Sequence, residues 1–220
     1  MKKLQLILRY LIYLVKSRNE YLIHSPFVYD FVTNVIYKKT SSDINQNIEN
    51  LRRKLNKNNN YIKITDFGAG SLINARKKRK IRDIAKNSAK SKKYGNLIYR
   101  IVKYFKPKNI FELGTSFGIS TLYLSSANPD SNIKTFEGCN ESAKIASENF
   151  KFLKANNIEI INGDFKNTFK KEISSFDKID FVFVDGNHQE QATKEYFDTI
   201  TNYSHNKTII IFDDIHWSSG

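Results

Sequence analysis

Six carboxylate residues stand at or just after the ends of short apolar runs in the second half of the chain. A carboxylate in such a place can accept hydrogen bonds from ligand hydroxyl groups or bind a cation. None has an obvious partner in the sequence, so we expect a ligand with several donors, a cation, or both to balance them. They are Glu112, Glu137, Asp164, Asp185, Asp213 and Asp214.

Two stretches combine an acidic residue with glycines, and each could hold a nucleotide. The first, ITDFGAGS, follows Lys63 and ends at residue 71, and the second, IFELGTSFGIS, covers 110–120. The first is followed by basic residues with no second strand, which favours a turn or flap on the substrate side, around Asp66. The second leads into a helix, a strand and Glu137, which is the order that a cofactor loop requires.

The two glycines of the second stretch have separate predicted roles. Gly114 would let the chain turn sharply after the strand, and Gly118 would let the next helix begin close to a ligand. Their spacing differs from the dinucleotide fingerprint G-x-G-x-x-G, which makes a nicotinamide dehydrogenase a distant alternative.

The elements that must position these residues alternate between strand and helix. Helices are predicted near 93–105, after Gly118, across 141–155, near 165–173 and near 190–202, each followed or preceded by an apolar strand. The strands are NIFEL, NIKTFEG, NIEIING, KIDFVFVDG and KTIIIFDD. Strands that are apolar on both faces indicate a doubly wound parallel α/β sheet, whose ligands bind at the carboxyl ends of the strands.

The first half of the chain has a different character. Residues 1–60 are predicted to form a helical extension, 61–91 a glycine turn with a basic linker or flap, and 92–220 the Rossmann-like domain. Apolar residues at helical spacing, such as Ile7, Leu11 and Val15, favour an amphipathic first helix packed on the body. Contact with a membrane surface and homodimer formation remain open alternatives.

Charge divides the chain in the same way. Residues 1–110 contain 26 Lys and Arg against 6 Asp and Glu, within a net charge of +14 for the whole chain. The basic block 75–93 could attract RNA, phosphorylated substrates or anionic lipid, although no aromatic residue interrupts it to stack on bases. A solvated basic surface is the simpler interpretation. The single cysteine, Cys139, excludes an intramolecular disulfide and fits the cytoplasm.

The acidic residue two positions before Gly114, with Gly118 four further on, resembles the first motif of class I S-adenosylmethionine-dependent methyltransferases. The resemblance runs from about 92 to 216. It implies a Rossmann-like sheet, shortened here after the fifth strand, and S-adenosyl-L-methionine as cofactor. Glu137 would accept the ribose hydroxyls and Asp164 would lie near the adenine amino group, although either could simply cap a helix. The implied cofactor-binding residues are Glu112, Gly114, Thr115, Ser116, Gly118, Glu137, Gly138, Asp164 and Asp185.

The stretches FVFVDGNHQ and IIIFDDIHW resemble the small-molecule O-methyltransferases of the catechol and caffeoyl-CoA type. That resemblance implies a divalent metal, such as Mg²⁺, on Asp185, Asp213 and Asp214, with Asp214 standing where the family has Asn. It also implies catalysis by Asp185 and by His188 as the base. Two alternatives remain: a turn capped by Asp185, or a metal-independent relative in which Asp185 orients cofactor or substrate.

The predicted function is therefore methyl transfer to a hydroxyl oxygen of a small molecule. An RNA (tRNA) methyltransferase that uses the basic half is an alternative, and so is a non-catalytic scaffold that binds the cofactor. No Asn-Pro-Pro-Tyr-type sequence follows the fourth strand, which disfavours transfer to a nucleic-acid base.

Overall fold

The computed structural model describes residues 2–16, 23–41, 45–65, 78–187 and 189–214. The chain forms two compact units, Met1–Lys39 and Thr40–Gly220. The first contains helix α1 (Lys2–Lys16) and helix α2 (Pro26–Phe31), which continues as a π-helical turn over Val32–Ile36. Ser25 caps α2 by accepting a hydrogen bond from the Val28 amide, and Pro26 starts the helix.

The apolar side chains described on α1 are exposed. Val15 is 87% exposed and Leu8 59%, and the packing of this helix on the body stays a prediction. Among the described helices, none is both long and apolar enough to cross a bilayer.

The second unit contains one parallel sheet, a short hairpin and seven helices among its described residues. The helices are α3 (Gln46–Leu55), α4 (Ile81–Ser88), α5 (Lys92–Phe105), α6 (Ile119–Ala127), α7 (Asn140–Phe152), α8 (Phe165–Ile173) and α9 (Glu190–Asn202). The strands are β1 (Tyr61–Lys63), β2 (Lys78–Lys80), β3 (Asn109–Leu113), β4 (Asn132–Glu137), β5 (Ile158–Asn162), β6 (Phe181–Val184) and β7 (Ile209–Phe212).

The parallel sheet has the strand order β5-β4-β3-β6-β7, and it confirms the predicted Rossmann-like α/β fold. Leu113, the last residue of β3, pairs with Phe136 of β4 on one side and Val184 of β6 on the other. The chain therefore reverses its direction of strand addition at β3. The crevice beyond this point is where ligands bind in such sheets.

Each face of the sheet is covered by its own apolar layer. One layer joins α3, α4, α6 and α7 through residues such as Leu51, Ile84 and Phe150. The other joins the opposite face of β3, β4 and β6 to α8 and α9, where Phe111 packs edge-on against Phe169. Helices on both faces explain why the central strands β3 and β6 are buried along most of their length.

The segment between the first helices and the sheet is more structured than the sequence predicts. Lys78–Lys80 pairs antiparallel with Tyr61–Lys63, so the prediction that no strand follows the first glycine stretch was wrong. Part of the basic block forms α4, whose Ile81, Ile84 and Ala85 are buried. The apolar residues of this amphipathic helix were not recognised in the sequence, because lysines and arginines dominate the block. The flap predicted around Asp66, and residues 75–77 of the block, lie outside the described residues.

Candidate cofactor and acceptor site

The sheet's hydrogen bonds continue past its strands and align the loops at the carboxyl edge. The Asp185 amide donates to the Leu113 carbonyl at 2.8 Å, and the Asp213 amide donates to the Val184 carbonyl at 2.9 Å. The Gly114 amide donates to the carbonyl of Phe136 at 3.0 Å. Residues that end three neighbouring strands are thereby fixed side by side.

Gly114 lies where two of these loops touch. Its φ is +107°, and a Cβ atom there would collide with the backbone carbonyl of Asp185. A left-handed turn and close backbone packing therefore both require glycine at this position. The predicted sharp turn is present, and it brings the predicted cofactor loop against the end of β6.

Gly118 is required by the packing of the chain itself, and its approach to a ligand stays a prediction. Its φ is +80°, and a Cβ atom there would overlap the ring of Phe150 on α7. Among the described residues, glycine is required by the left-handed backbone and by helix packing, whether or not a ligand approaches.

Glu137 joins the loops that follow β3 and β4. Its Oε2 accepts a hydrogen bond from the Ser116 amide at 2.7 Å, and its Oε1 accepts one from the Cys139 amide at 2.8 Å, with Gly138 between. A carboxylate oxygen can accept more than one hydrogen bond, so these contacts leave capacity for ligand hydroxyls. Ser116 itself has a φ of +48°.

Glu112 lies behind the loop in a buried polar network. Its side chain is fully buried, and Oε2 accepts hydrogen bonds from the hydroxyls of Thr121 and Thr135, the latter at 2.7 Å. The Thr135 hydroxyl also meets that of Thr115 at 2.6 Å. Burial raises the pKa of Glu112, opposed by these hydroxyl groups. Its Oε1 has no hydrogen-bond partner among the described residues.

Asp164 is the N-cap of α8. Its side chain accepts a hydrogen bond from the Lys166 amide at 3.3 Å and from the Asn167 side chain at 3.2 Å. This is the capping role that the sequence leaves open, at the position where the resemblance implies an adenine contact.

A lysine joins the two remaining strand-end acids. Lys90 lies in the extended connection between α4 and α5, and its Nζ is 2.8 Å from Oδ1 of Asp185. The same Nζ forms an ion pair with Oδ2 of Asp213. The side chains of Lys90 and Asp185 are only 16% and 10% exposed, so water screens this pair weakly.

Asp185 is electrostatically unusual. Burial raises the pKa of its carboxyl to about 7, although the charge and hydrogen bond of Lys90 act in the opposite direction. Glu112 and Asp214 also raise this pKa through like-charge repulsion. Asp214 is itself exposed, with a φ of +51°.

The arrangement does not fit the divalent metal that the resemblance implies. An ammonium group already lies between Asp185 and Asp213, in contact with an oxygen of each. A metal ion on those same oxygens would meet a like charge. Among the described residues, no group of three or more His, Cys, Asp or Glu side chains is arranged to hold a metal.

The predicted base, His188, lies outside the described residues. Of its neighbours, Asn187 has a φ of +50° and donates from its side chain to the Tyr196 hydroxyl at 3.3 Å. The Oδ1 of Asn187 is buried, with no hydrogen-bond partner among the described residues. The role of His188 stays a prediction.

The structure corrects one premise of the sequence reasoning. We expected the strand-end acids to lack partners within the chain, but hydroxyls bind Glu112, backbone amides bind Glu137, and Lys90 binds Asp185 and Asp213. Lys90 was not predicted as a site residue. Its only sequence signal was membership of the basic block, which does not distinguish it from the other lysines there.

Comparison with known proteins agrees with this geometry. Residues 111–215 match the family model of a methyltransferase domain. Residues 111–215 are therefore similar to a methyltransferase domain, and the parallel sheet has the Rossmann-like fold that the sequence predicted. No curated protein sequence is significantly similar to the chain.

Several solved structures share the fold. The O-methyltransferase TomG of Streptomyces achromogenes, in complex with SAM, is 24% identical with a TM-score of 0.54, over 60% of this chain and 59% of TomG. The SAH-bound methyltransferase PaMTH1 of Podospora anserina is 20% identical with a TM-score of 0.60, over 88% of this chain and 72% of its own. An O-methyltransferase of Bacillus cereus in complex with SAH is 21% identical with a TM-score of 0.55, over 84% and 71%.

Proposed function

We propose that this protein is an S-adenosylmethionine-dependent O-methyltransferase that acts on a small molecule. The observation that carries the proposal is the position of Glu137. Its carboxylate ends β4 and accepts hydrogen bonds from the Ser116 and Cys139 amides, beside the loop that begins at Gly114. A carboxylate fixed in this place can accept both hydroxyls of a ribose.

The loop between β3 and α6 would form the other wall of the cofactor site. Gly114, Thr115, Ser116 and Gly118 belong to it, and Gly138 follows Glu137 on the opposite side. The side chains of Glu112 and Thr115 are buried in the hydroxyl network behind the loop. They would support the loop from behind rather than contact the cofactor.

In the proposed reaction, a hydroxyl oxygen of the acceptor attacks the sulfonium methyl carbon. The new O–C bond forms as the C–S bond breaks, so the cofactor leaves as the neutral thioether, S-adenosylhomocysteine. The hydroxyl proton passes to His188, which suits a base near neutral pH. Positioning of the two substrates would provide most of the rate enhancement.

Asp185 and Asp213 would line the acceptor side of the same crevice. They follow β6 and β7, and Asp185 touches the cofactor loop through its contact with Gly114. An acid at this junction can accept a hydrogen bond from the acceptor hydroxyl. The single, buried Cys139 suits a reducing compartment, and we propose the cytoplasm.

The test is methyl transfer from S-adenosylmethionine carrying a labelled methyl group. We expect label to enter a phenol, catechol, polyol or sugar hydroxyl, with equimolar S-adenosylhomocysteine formed. Transfer to bulk tRNA instead, with binding that weakens steeply as salt rises, would favour the RNA alternative suggested by the basic first half. Absence of cofactor binding would overturn both.

A further inference from the structure

Lys90 reaches the site from outside the matched methyltransferase domain. It lies between Ala89, the extended residue that ends α4, and Ser91, which begins α5. Ile81 and Ile84 on α4 and Tyr99 on α5 are buried in the same apolar layer, so the connection is held in place at both ends. The basic block therefore directs one of its lysines inward, while Lys86, Lys92 and Lys93 are exposed.

A second lysine, Lys134, also joins two acids. Its acids can be compared with those of Lys90 in their exposure and in their position in the sheet. Lys134 lies 2.7 Å from Glu172 and 3.1 Å from Glu159, but Glu159 is 60% exposed. At Lys90 the corresponding acids are 10% and 34% exposed, and both end strands at the carboxyl edge. Only the Lys90 cluster lies at the edge where the proposed acceptor binds.

We propose that the Lys90 ammonium is a built-in cation that takes the place of a divalent metal between Asp185 and Asp213. The inference rests on the proposed function, because the acceptor side of the crevice is defined by it. Lys90 is a positioning residue: it neutralises the two acids and fixes their orientation. The protein then needs no divalent metal for methyl transfer.

A lysine that occupies a cation position differs from a simple structural ion pair in what its removal leaves behind. If Lys90 occupies a cation position, its removal leaves two convergent carboxylates that can bind a hard divalent ion. Lys90→Ala should gain affinity for Mn²⁺, while Lys90→Arg, which keeps the positive charge, should not.

The experiment titrates Mn²⁺ into the full chain and follows free Mn²⁺ by electron paramagnetic resonance. We compare wild type, Lys90→Ala, Lys90→Arg and the matched control Lys134→Ala. Lys90→Ala should bind one ion at least about tenfold more tightly than the other three proteins. A second change, Asp213→Asn on the Lys90→Ala background, should remove that gain.

Two results of the Mn²⁺ titration would overturn the inference. One is tight Mn²⁺ binding by wild type that Asp213→Asn abolishes, and the other is no gain in the folded Lys90→Ala protein. Binding of S-adenosylhomocysteine, measured by calorimetry on each variant, reports folding and tests the proposed function separately. Should Lys90→Ala not fold, Lys90→Met serves in its place. A wild-type rate unchanged by a chelator would agree with the inference, and a lost rate restored by Mn²⁺ would contradict it.

Discussion

The two halves of the sheet's carboxyl edge balance their acids by different means. In the half proposed to bind the cofactor (the cofactor half), beyond β3 and β4, neutral donors bind Glu112 and Glu137: hydroxyls in one case and backbone amides in the other. In the half proposed to bind the acceptor (the acceptor half), beyond β6 and β7, a full positive charge binds Asp185 and Asp213. The cofactor half is thus built by its own loops, and the acceptor half depends on a distant segment.

The two kinds of donor suit different kinds of ligand. Neutral donors would suit a cationic sulfonium ligand, because the groups described as binding Glu112 and Glu137 carry no positive charge. The acceptor half instead combines acids with a lysine, which suits the orientation of a polar acceptor. Gly114, packed on the Asp185 carbonyl, is the point where the halves meet.

The largest predicted effect comes from breaking that junction. Gly114→Ala adds a Cβ at a φ of +107° and against the Asp185 carbonyl, and should lower the free energy of unfolding by about 4 kcal/mol. Gly163→Ala is the control. Its φ is +143°, but the added Cβ would face only the Thr168 methyl at 2.9 Å, so about 2 kcal/mol is expected. Equal losses in urea denaturation would argue against a rigid junction.

Removing the positive charge of Lys90 from the acceptor half should have the next largest effect on the free energy of unfolding. Lys90→Met leaves the weakly exposed Asp185 without its cation and should cost about 3 kcal/mol of unfolding free energy. Lys134→Met should cost about 1 kcal/mol or less, because water solvates the exposed Glu159. Chemical denaturation at pH 7.5 compares the two. If Lys134→Met were the more damaging, the acceptor half would not depend on its lysine as described.

The raised pKa of Asp185 predicts how stability depends on pH. Because this carboxyl has a pKa of about 7 in the folded chain and 3.8 ordinarily, the folded state binds the extra proton between these values. The raised pKa therefore adds to the free energy of unfolding. This contribution is complete below the ordinary pKa and is lost as pH rises through 7. Asp185→Asn should therefore reduce the fall in unfolding free energy between pH 5 and 7 by about 2 kcal/mol. An unchanged pH profile in the variant would be inconsistent with a buried, protonated Asp185.

The cofactor half should show the smallest of these effects. Thr121→Val keeps the shape of a fully buried side chain but removes the hydroxyl that donates to Glu112, at a cost of about 1.5 kcal/mol. The control, Thr199→Val, removes only a partly buried bond to the Glu195 carbonyl within α9 and should cost about 0.5 kcal/mol. Thermal unfolding distinguishes the two. A larger loss from the control would exclude a stabilising role for the network.

Sequence periodicity predicted the sheet well because each of its strands is a short apolar run with a turn signal after it. Strand NIFEL is β3, and the helices predicted near 165–173 and 190–202 have those bounds in the structure. Local signals also placed Glu137 at the end of its strand and Gly114 directly after its strand.

The missed features depend on contacts between distant parts of the chain. Lys90 is 123 residues from Asp213, and nothing in the spacing of either residue indicates the other. The buried location of Glu112 depends on Thr121 and Thr135, which lie on a neighbouring helix and strand. Strand β2 consists of charged residues and forms through pairing with β1, which overrides its low strand propensity.

The division of the edge into two halves can be tested directly by calorimetric titration of S-adenosylhomocysteine into three proteins. Wild type should bind one equivalent, and Glu137→Ala should bind about 30-fold more weakly, because the ribose hydroxyls lose a charged acceptor. Asp213→Asn, altered only in the acceptor half, should bind the cofactor product as wild type does. Undiminished binding by Glu137→Ala, or an equal loss in Asp213→Asn, would contradict the account.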